Sequence, residues 1–394
     1  MLAAFSVENY RAFARRQDIK IRPLTLFYGW NSSGKSALVR FLPLLAESIQ
    51  VGGSPIWLAG QVGRKITWPD LVCKATERDL LRISLRWADE ELSAEWKISG
   101  ALDGSWQEVK ELTVRTSAEH WSYPEGEAST KCAGLVPHSG PIGSSSAGPD
   151  WLRTRLLRLP TQVQWLSGVR VPPARLATYG GGASPTLRPD GEDVLDHLIA
   201  AQLQSTAHPL IEGTQRFFSA LGETLAIDNP IEGAWRVLLH PAGVPTVRVN
   251  LCDTGEGYAQ VLPVLVALAR TRVGGPQILC LEQPELHLHT RAQVELANLL
   301  VASAAAKNPP SLLVETHSEV VLMSTQLAIA RGQIDPANVR VYWVESRADG
   351  TSDAVPVDFD AQGRPSNSAL TGAFDEAIRL GQELVTLQLS KRTP

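Results

Sequence analysis

Cysteine is scarce, with 4 in 394 residues. Cys73, Cys132, Cys252 and Cys280 are scattered and show no metal-ligand spacing. That pattern suits a reducing, cytoplasmic setting. Long apolar runs are also missing. The longest clean one, Val261 to Ala269, is too short to cross a bilayer, so no membrane partner is expected. No basic stretch followed by an apolar core opens the chain, so no secretory signal is expected. Charge of one sign is lacking as well: 37 Lys and Arg stand against 41 Asp and Glu, a net charge of −4. Without a global basic field, a mainly electrostatic nucleic-acid coat is excluded, although a local patch stays open.

What is there is globular. Hydrophobic residues at 44% and charged residues at 20% exclude wholesale disorder, collagen-like repeats and coiled-coil rods. The length sets about two to three domains as a starting expectation. Two features stand out, the 11 Trp and a strong excess of Arg over Lys. Strands are expected at 2–8, 18–22 and 24–28, with a helix over 35–48. Period-two alternation over 80–120, as in Leu81-Arg82-Ile83-Ser84-Leu85-Arg86-Trp87, predicts antiparallel strands. Residues 133–149, rich in Gly, Ser and Pro, read as a loop. Helix is expected over 191–222, two strands over 233–251, and a helix over 256–272. A buried strand at 277–282, a helix at 290–306 and a buried strand at 311–315 follow. Strand-like runs at 339–345 and 354–359 precede a closing helix, about Phe374 to Gln388.

The sharpest motif is Gly29-Trp30-Asn31-Ser32-Ser33-Gly34-Lys35-Ser36, which fits G-x-x-x-x-G-K-[ST] without a mismatch. It sits between a strand and a helix, as such a loop must. Gly29 and Gly34 allow a tight turn, and backbone N–H groups then converge on phosphate oxygens at a helix N-terminus. Lys35 supplies positive charge for β- and γ-phosphates, and Ser36 offers a hydroxyl oxygen to Mg2+. Gly29 to Ala37 is therefore the expected nucleotide-binding segment.

Such a site needs an acid at the end of a neighbouring buried strand. Ile278-Leu279-Cys280-Leu281 ends in Glu282, and Glu285 follows beyond Gln283-Pro284. Glu282 is expected in the Mg2+ shell through water, its long reach leaving direct contact open. Glu285 is expected to polarise the attacking water as general base. A second buried strand, Ser311-Leu312-Leu313-Val314, leads into Glu315-Thr316-His317-Ser318, where His317 is placed to bond the γ-phosphate and that water. His287 and His289 have a spacing that suits a metal on a strand, but no further Cys/His cluster joins them. They are assigned to the loop after the acids. Asp253-Thr254-Gly255-Glu256-Gly257 opens the helix at 256–272 as a Gly-rich N-terminus, an anion site that makes sense on ATP held by another copy.

The order of these motifs resembles that of the ABC-type ATPase heads. The runs Phe5-Ser6-Val7-Glu8-Asn9-Tyr10-Arg11-Ala12-Phe13, Tyr258-Ala259-Gln260-Val261-Leu262-Pro263 and Glu282-Gln283-Pro284-Glu285-Leu286-His287-Leu288-His289 resemble the OLD-like, AAA-annotated bacterial branch, over about residues 1–345. The resemblance implies an α/β fold, a P-loop NTPase of ABC-ATPase type with an antiparallel β subdomain and a small helical insert. It divides the chain at 1–190 and 246–345 for the head, 191–245 for the inserted lobe and 346–394 for a C-terminal cap. It implies ATP and Mg2+ as cofactors. Gly29, Gly34, Lys35 and Ser36 match the Walker A loop, Glu282 and Glu285 the Walker B acid and catalytic glutamate, and His317 the switch histidine. Thr254, Gly255 and Gly257 match the signature that acts in trans. Leu166-Ser167-Gly168-Val169-Arg170 resembles the family's strand ending in Arg, which would bring Arg170 to phosphate or a dimer interface, unless it is a core-edge arginine. Gln61, Gln162 and Gln164 are all candidates for the metal-contacting Q-loop glutamine.

The OLD proteins add a Toprim nuclease domain and the SMC relatives a long coiled coil. Neither is expected here, since Asp358-Phe359-Asp360 alone makes no nuclease site. The resemblance implies an ATP-hydrolysing switch that forms a homodimer or higher oligomer through its ATP sites. It would control a separate effector, a nuclease or toxin, in antiphage defence. Two other readings stay open: a DNA-binding repair clamp closed by ATP, and a nucleotide-gated scaffold that holds a toxin. Nothing suggests a permease-coupled transporter engine.

Overall fold

The computed structural model describes residues 1–76, 79–88, 92–117, 120–123, 132–137, 148–371, 380 and 382–384. Alternation along the central strands decides the layers, because successive side chains point to opposite faces. In β3 (Leu24–Gly29), Leu24, Leu26 and Tyr28 enter one core and Phe27 the other. In β15 (Ile278–Glu282), Leu279 and Leu281 part from Cys280 in the same way. In β16 (Ser311–Glu315), Leu312 and Val314 part from Leu313, and in β17 (Val339–Ser346), Val341 parts from Tyr342. Strands apolar on both faces must be covered on both. With β10 (Val163–Leu166) and β18 (Ser352–Val357) they form one sheet in the order β10-β15-β16-β3-β17-β18. Every pairing in it is parallel except β17 with β18.

One face carries α5 (Val194–Gln204), α6 (Pro209–Ala220), α7 (Glu256–Arg270), α8 (Thr290–Ala304) and α9 (Glu319–Ala330). The other carries α1 (Lys35–Val39), α2 (Phe41–Val51) and α4 (Gly148–Gln162). Beyond these helices lies an antiparallel sheet, β2-β1-β4-β5-β6-β7. Its strands are β1 (Leu2–Glu8), β2 (Gln17–Lys20), β4 (Leu80–Trp87), β5 (Ser93–Gly100), β6 (Gln107–Arg115) and β7 (His120–Tyr123). Short α3 (Trp68–Leu71) sits against it, with Trp68 and Trp96 fully buried in this second core. A two-stranded piece pairs β8 (Cys132–Ala133) with β9 (Val136–Pro137).

The lobe at 191–245 is not purely helical. The expected helix over 191–222 is broken into α5 and α6 ahead of Pro209, whose ring fits the first turn of a helix but not its interior. Behind them β12 (Glu223–Ile231), absent from the sequence reading, pairs with β13 (Ala234–Pro241). Strands β11 (Ala177–Thr178) and β14 (Val249–Asn250) flank β13. Two further helices, α4 and α9, were also unforeseen; in α4 the buried Leu152, Leu156 and Leu159 fall on one helical face. Strand β18 lies past residue 345 yet pairs antiparallel with β17 through six registered positions, so the mixed sheet extends beyond residue 345. The expected closing helix and most of the 133–149 loop lie outside the described residues; Leu380 and residues 382–384 are helical. Among the described residues no helix is long and apolar enough to cross a membrane.

Candidate functional site

The phosphate loop runs from the end of β3 into α1. Gly29 has φ +144°, and a Cβ there would stand 2.1 Å from the Val344 carbonyl oxygen of the neighbouring strand. Gly34 has φ +105°, with the Phe13 ring 3.0 Å from where its Cβ would be. Both positions demand glycine. No side chain caps α1, and the Ala37 N–H turns back to the Gly34 carbonyl at 3.0 Å, so the amides ahead of it are the ones a phosphate would meet. Lys35 Nζ donates to the carbonyls of Gly29, at 3.0 Å, and Trp30, at 2.7 Å, so its cation lies inside the loop. Burial lowers its pKa and the nearby Glu315 opposes the shift. Trp30 is exposed and meets Trp343 edge to face, centroids 5.9 Å apart.

The cleft holds about 540 Å3. From the loop come Asn31, Ser32, Gly34, Lys35 and Ser36, and from the strand ends Gln283, Glu315 and His317. The antiparallel layer adds Arg11 and Lys74, two cations that the sequence reading missed. Arg11 stands in left-handed backbone, φ 54°, with its N–H bonded to the Leu71 carbonyl and its guanidinium to the Asp70 carbonyl. Lys74 pairs with Asp70 at 3.0 Å.

The acids do not take the places expected of them. Glu282, expected in the Mg2+ shell, has both oxygens occupied. Arg40 Nε and Nη2 reach Oε1 and Oε2 at 2.5 Å each, and the Trp165 indole N–H donates to Oε1 at 2.7 Å. Arg40 also lies over the Trp165 ring, 5.7 Å from its centroid. Glu282 does not line the cleft. The carboxylate beside Ser36 is Glu315, whose Oε1 accepts from Ser36 Oγ at 2.9 Å. Its Oε2 is buried without a hydrogen-bond partner, and burial, helped by the charge of Glu282, raises its pKa. Sequence reasoning assigned Glu315 no role, although, like Glu282, it closes an apolar run, here Leu312-Leu313-Val314.

Glu285, expected as general base, is not on the cleft wall either. Its Oε1 accepts from Thr316 Oγ1 at 2.7 Å and from the His317 backbone N–H at 3.0 Å. It therefore holds the turn that presents His317. Burial raises its pKa. The turn is also fastened by Ser318, which caps α9 by accepting from Val321 N–H at 3.1 Å. His317 faces the cleft with much of its side chain open to solvent, and partial desolvation of its ring, with the charge of Lys35 adding to it, lowers its pKa. Next to Glu282, Gln283 enters the cleft with φ 41°, its N–H bonded to the Glu315 carbonyl at 2.8 Å. It is the glutamine of the cleft; Gln61, Gln162 and Gln164 line other depressions.

Arg170 approaches no phosphate position. It is buried, and donates to the carbonyls of Ser167, Gln260, Glu282 and Gln283. Burial pushes its pKa down to about 10. It ties α7 to the end of β15. Gly255 and Gly257 line a separate depression of about 280 Å3 with Tyr258, His287 and His289, and share no residue with the phosphate cleft. Thr254 Oγ1 caps back onto the Leu251 carbonyl at 2.7 Å. A Cβ on Gly257 would stand 2.5 Å from the His287 carbonyl oxygen, so helix and acidic loop touch there. His289 caps α8, accepting from the Arg291 N–H.

A hard divalent cation takes oxygen ligands. The hydroxyl of Ser36 and a carboxylate with one unpartnered buried oxygen meet that requirement, so the cleft fits Mg2+.

Residues 246–324, which hold the Gly-rich opening of α7, Glu282, Glu285, Glu315 and His317, match the family model described as AAA domain, putative AbiEii toxin, Type IV TA system. No curated protein matches the chain in sequence. Among solved structures, an Smc head bound to the C-winged helix domain of ScpA aligns with a TM-score of 0.54 at 13% identity, over 91% of this chain and 98% of that one. An Smc head with an extended coiled coil, bound to the C-terminal domain of ScpA derived from Pyrococcus furiosus, gives 0.52 at 12% identity, over 97% and 99%. An Smc head with a coiled coil and joint derived from Pyrococcus yayanosii gives 0.50 at 10%, over 95% and 99%. The chain thus has the P-loop fold of the ABC-type ATPase heads, shared with the heads of Smc proteins.

Proposed function

We propose that this protein is an ATPase whose cleft closes against a second copy, and that the resulting switch controls a separate protein effector. One observation carries the reading: Lys35 and Ser36, which follow a loop that only glycine can close, meet Gln283, Glu315 and His317 in one cleft. Loop amides and Lys35 would bind the β- and γ-phosphates. Ser36 and a strand-end acid would hold Mg2+, which when bound neutralises charge building on the phosphate oxygens. Neutral His317 offers a ring nitrogen to the attacking water, and the Gln283 amide orients that water. Glu285 positions His317 through its backbone.

Thr254, Gly255 and Gly257 would cap ATP held by another copy; their separation from the chain's own cleft supports this. For the effector, the support is the toxin–antitoxin wording of the matched family model and the ScpA domains bound to Smc heads. A place in antiphage defence rests on the family resemblance alone.

The test is phosphate release by mixed variants. Lys35→Ala and Gly255→Asp chains should each be inactive alone and recover part of the turnover when mixed. No recovery removes the shared site. DNA binding that weakens steeply across a salt series would favour a repair clamp instead.

A further inference from the structure

The geometry points to Glu315 as the carboxylate that ligates the divalent cation of the phosphate cleft, with Glu282 serving as the anionic anchor of the phosphate-loop helix. The inference rests on the reading of the cleft as an ATP site.

Sheet order places Glu315 for this role. The phosphate loop leaves β3, and the strand beside β3 is β16, not β15. In register, Glu315 stands opposite Phe27, and Glu282 opposite Glu315, one strand further away. From there Glu315 alone meets Ser36, at 2.9 Å, and alone of the two lines the cleft. One of its oxygens is buried with no partner, a costly arrangement unless that oxygen serves a ligand. Glu282 has no unpartnered oxygen. Arg40 grips it with two parallel bonds and Trp165 adds a third. Turning Glu282 toward Ser36 would leave the mostly buried guanidinium of Arg40 unpaired. Arg40 follows directly on α1, so this pair fixes the helix that carries Lys35 and Ser36 against β15.

Binding of mant-ATP to the full chain, measured in Mg2+ and in EDTA, separates the two acids. The wild type should bind more tightly in Mg2+. Glu315→Gln should fold, since its amide oxygen still accepts from Ser36, and should bind in EDTA as well as the wild type or better. It should lose the gain that Mg2+ gives. Glu282→Gln should keep that gain. If Glu315→Gln does not fold, Glu315→Asp carries the test: it keeps the charge, shortens the reach, and should raise the half-saturating Mg2+ by about tenfold. A Glu315→Gln chain that keeps the Mg2+ gain, or loss of the gain in both variants, overturns the assignment. So does a wild type that binds equally in Mg2+ and EDTA. A wild type that binds no nucleotide in either condition overturns the function reading itself.

Discussion

Strands β15 and β16 lie side by side, five residues each, buried throughout, and each ends in a glutamate held in register with the other. From there they diverge. Glu282 meets a guanidinium and an indole, and is spent on structure. Glu315 meets a hydroxyl, and keeps one oxygen unpartnered. The two turns that follow repeat the contrast. After β15 the chain sends Gln283 into the cleft and Glu285 away from it. After β16 it sends His317 into the cleft, held from behind by Glu285. Apolar strand ends of one pattern can thus serve opposite purposes, and the surrounding side chains decide which. Arg40 and Trp165 make Glu282 an anchor; Ser36 makes Glu315 a site.

The largest effect should come from breaking the anchor. Arg40→Met leaves Glu282 buried and uncompensated, and should cost about 3–5 kcal/mol of stability in urea unfolding. A cost under about 1 kcal/mol would show that Glu282 is not held this way and is free for the cation. Next in size, Glu285→Gln keeps an oxygen acceptor for Thr316 and His317. Turnover should fall less than tenfold with nucleotide binding intact, whereas a general base at this position would make the loss about 100-fold or more. The smallest effect on the cleft itself belongs to Trp165→Phe, which removes one donor from Glu282 and leaves Arg40 in place. It should cost about 1.5 kcal/mol with ATP affinity unchanged. A change in affinity would extend the cleft to Glu282 and blur the contrast.

Much of this was legible in the sequence. The glycine loop, its strand and its helix follow from residue type and spacing, because Gly29 and Gly34 occupy backbone that other residues rarely adopt. The alternation that sorts Leu279 and Leu281 from Cys280 builds both cores. What the sequence did not disclose was lateral. Strand order decides which acid stands beside Ser36, and order is a tertiary fact. Arg40 and Trp165 are far from Glu282 in the chain, so its neutralisation left no local trace. Arg170 was expected near phosphate and is instead a buried clamp on four carbonyls. In the lobe, β12 escaped sequence reasoning because only Leu225 in it is buried and its last three residues are exposed, which leaves no apolar alternation to read. Of the many Trp, Trp68 and Trp96 fill the core between the sheets, Trp343 supports Trp30, and Trp165 binds Glu282.

Every role proposed above needs the cleft between the glycine loop and the ends of β15 and β16 to be an ATP site. Titration calorimetry of ATP with Mg2+ into the wild-type chain tests that most directly. Saturable binding of one ATP for each chain is the predicted result. Absence of any saturable binding of ATP would contradict it.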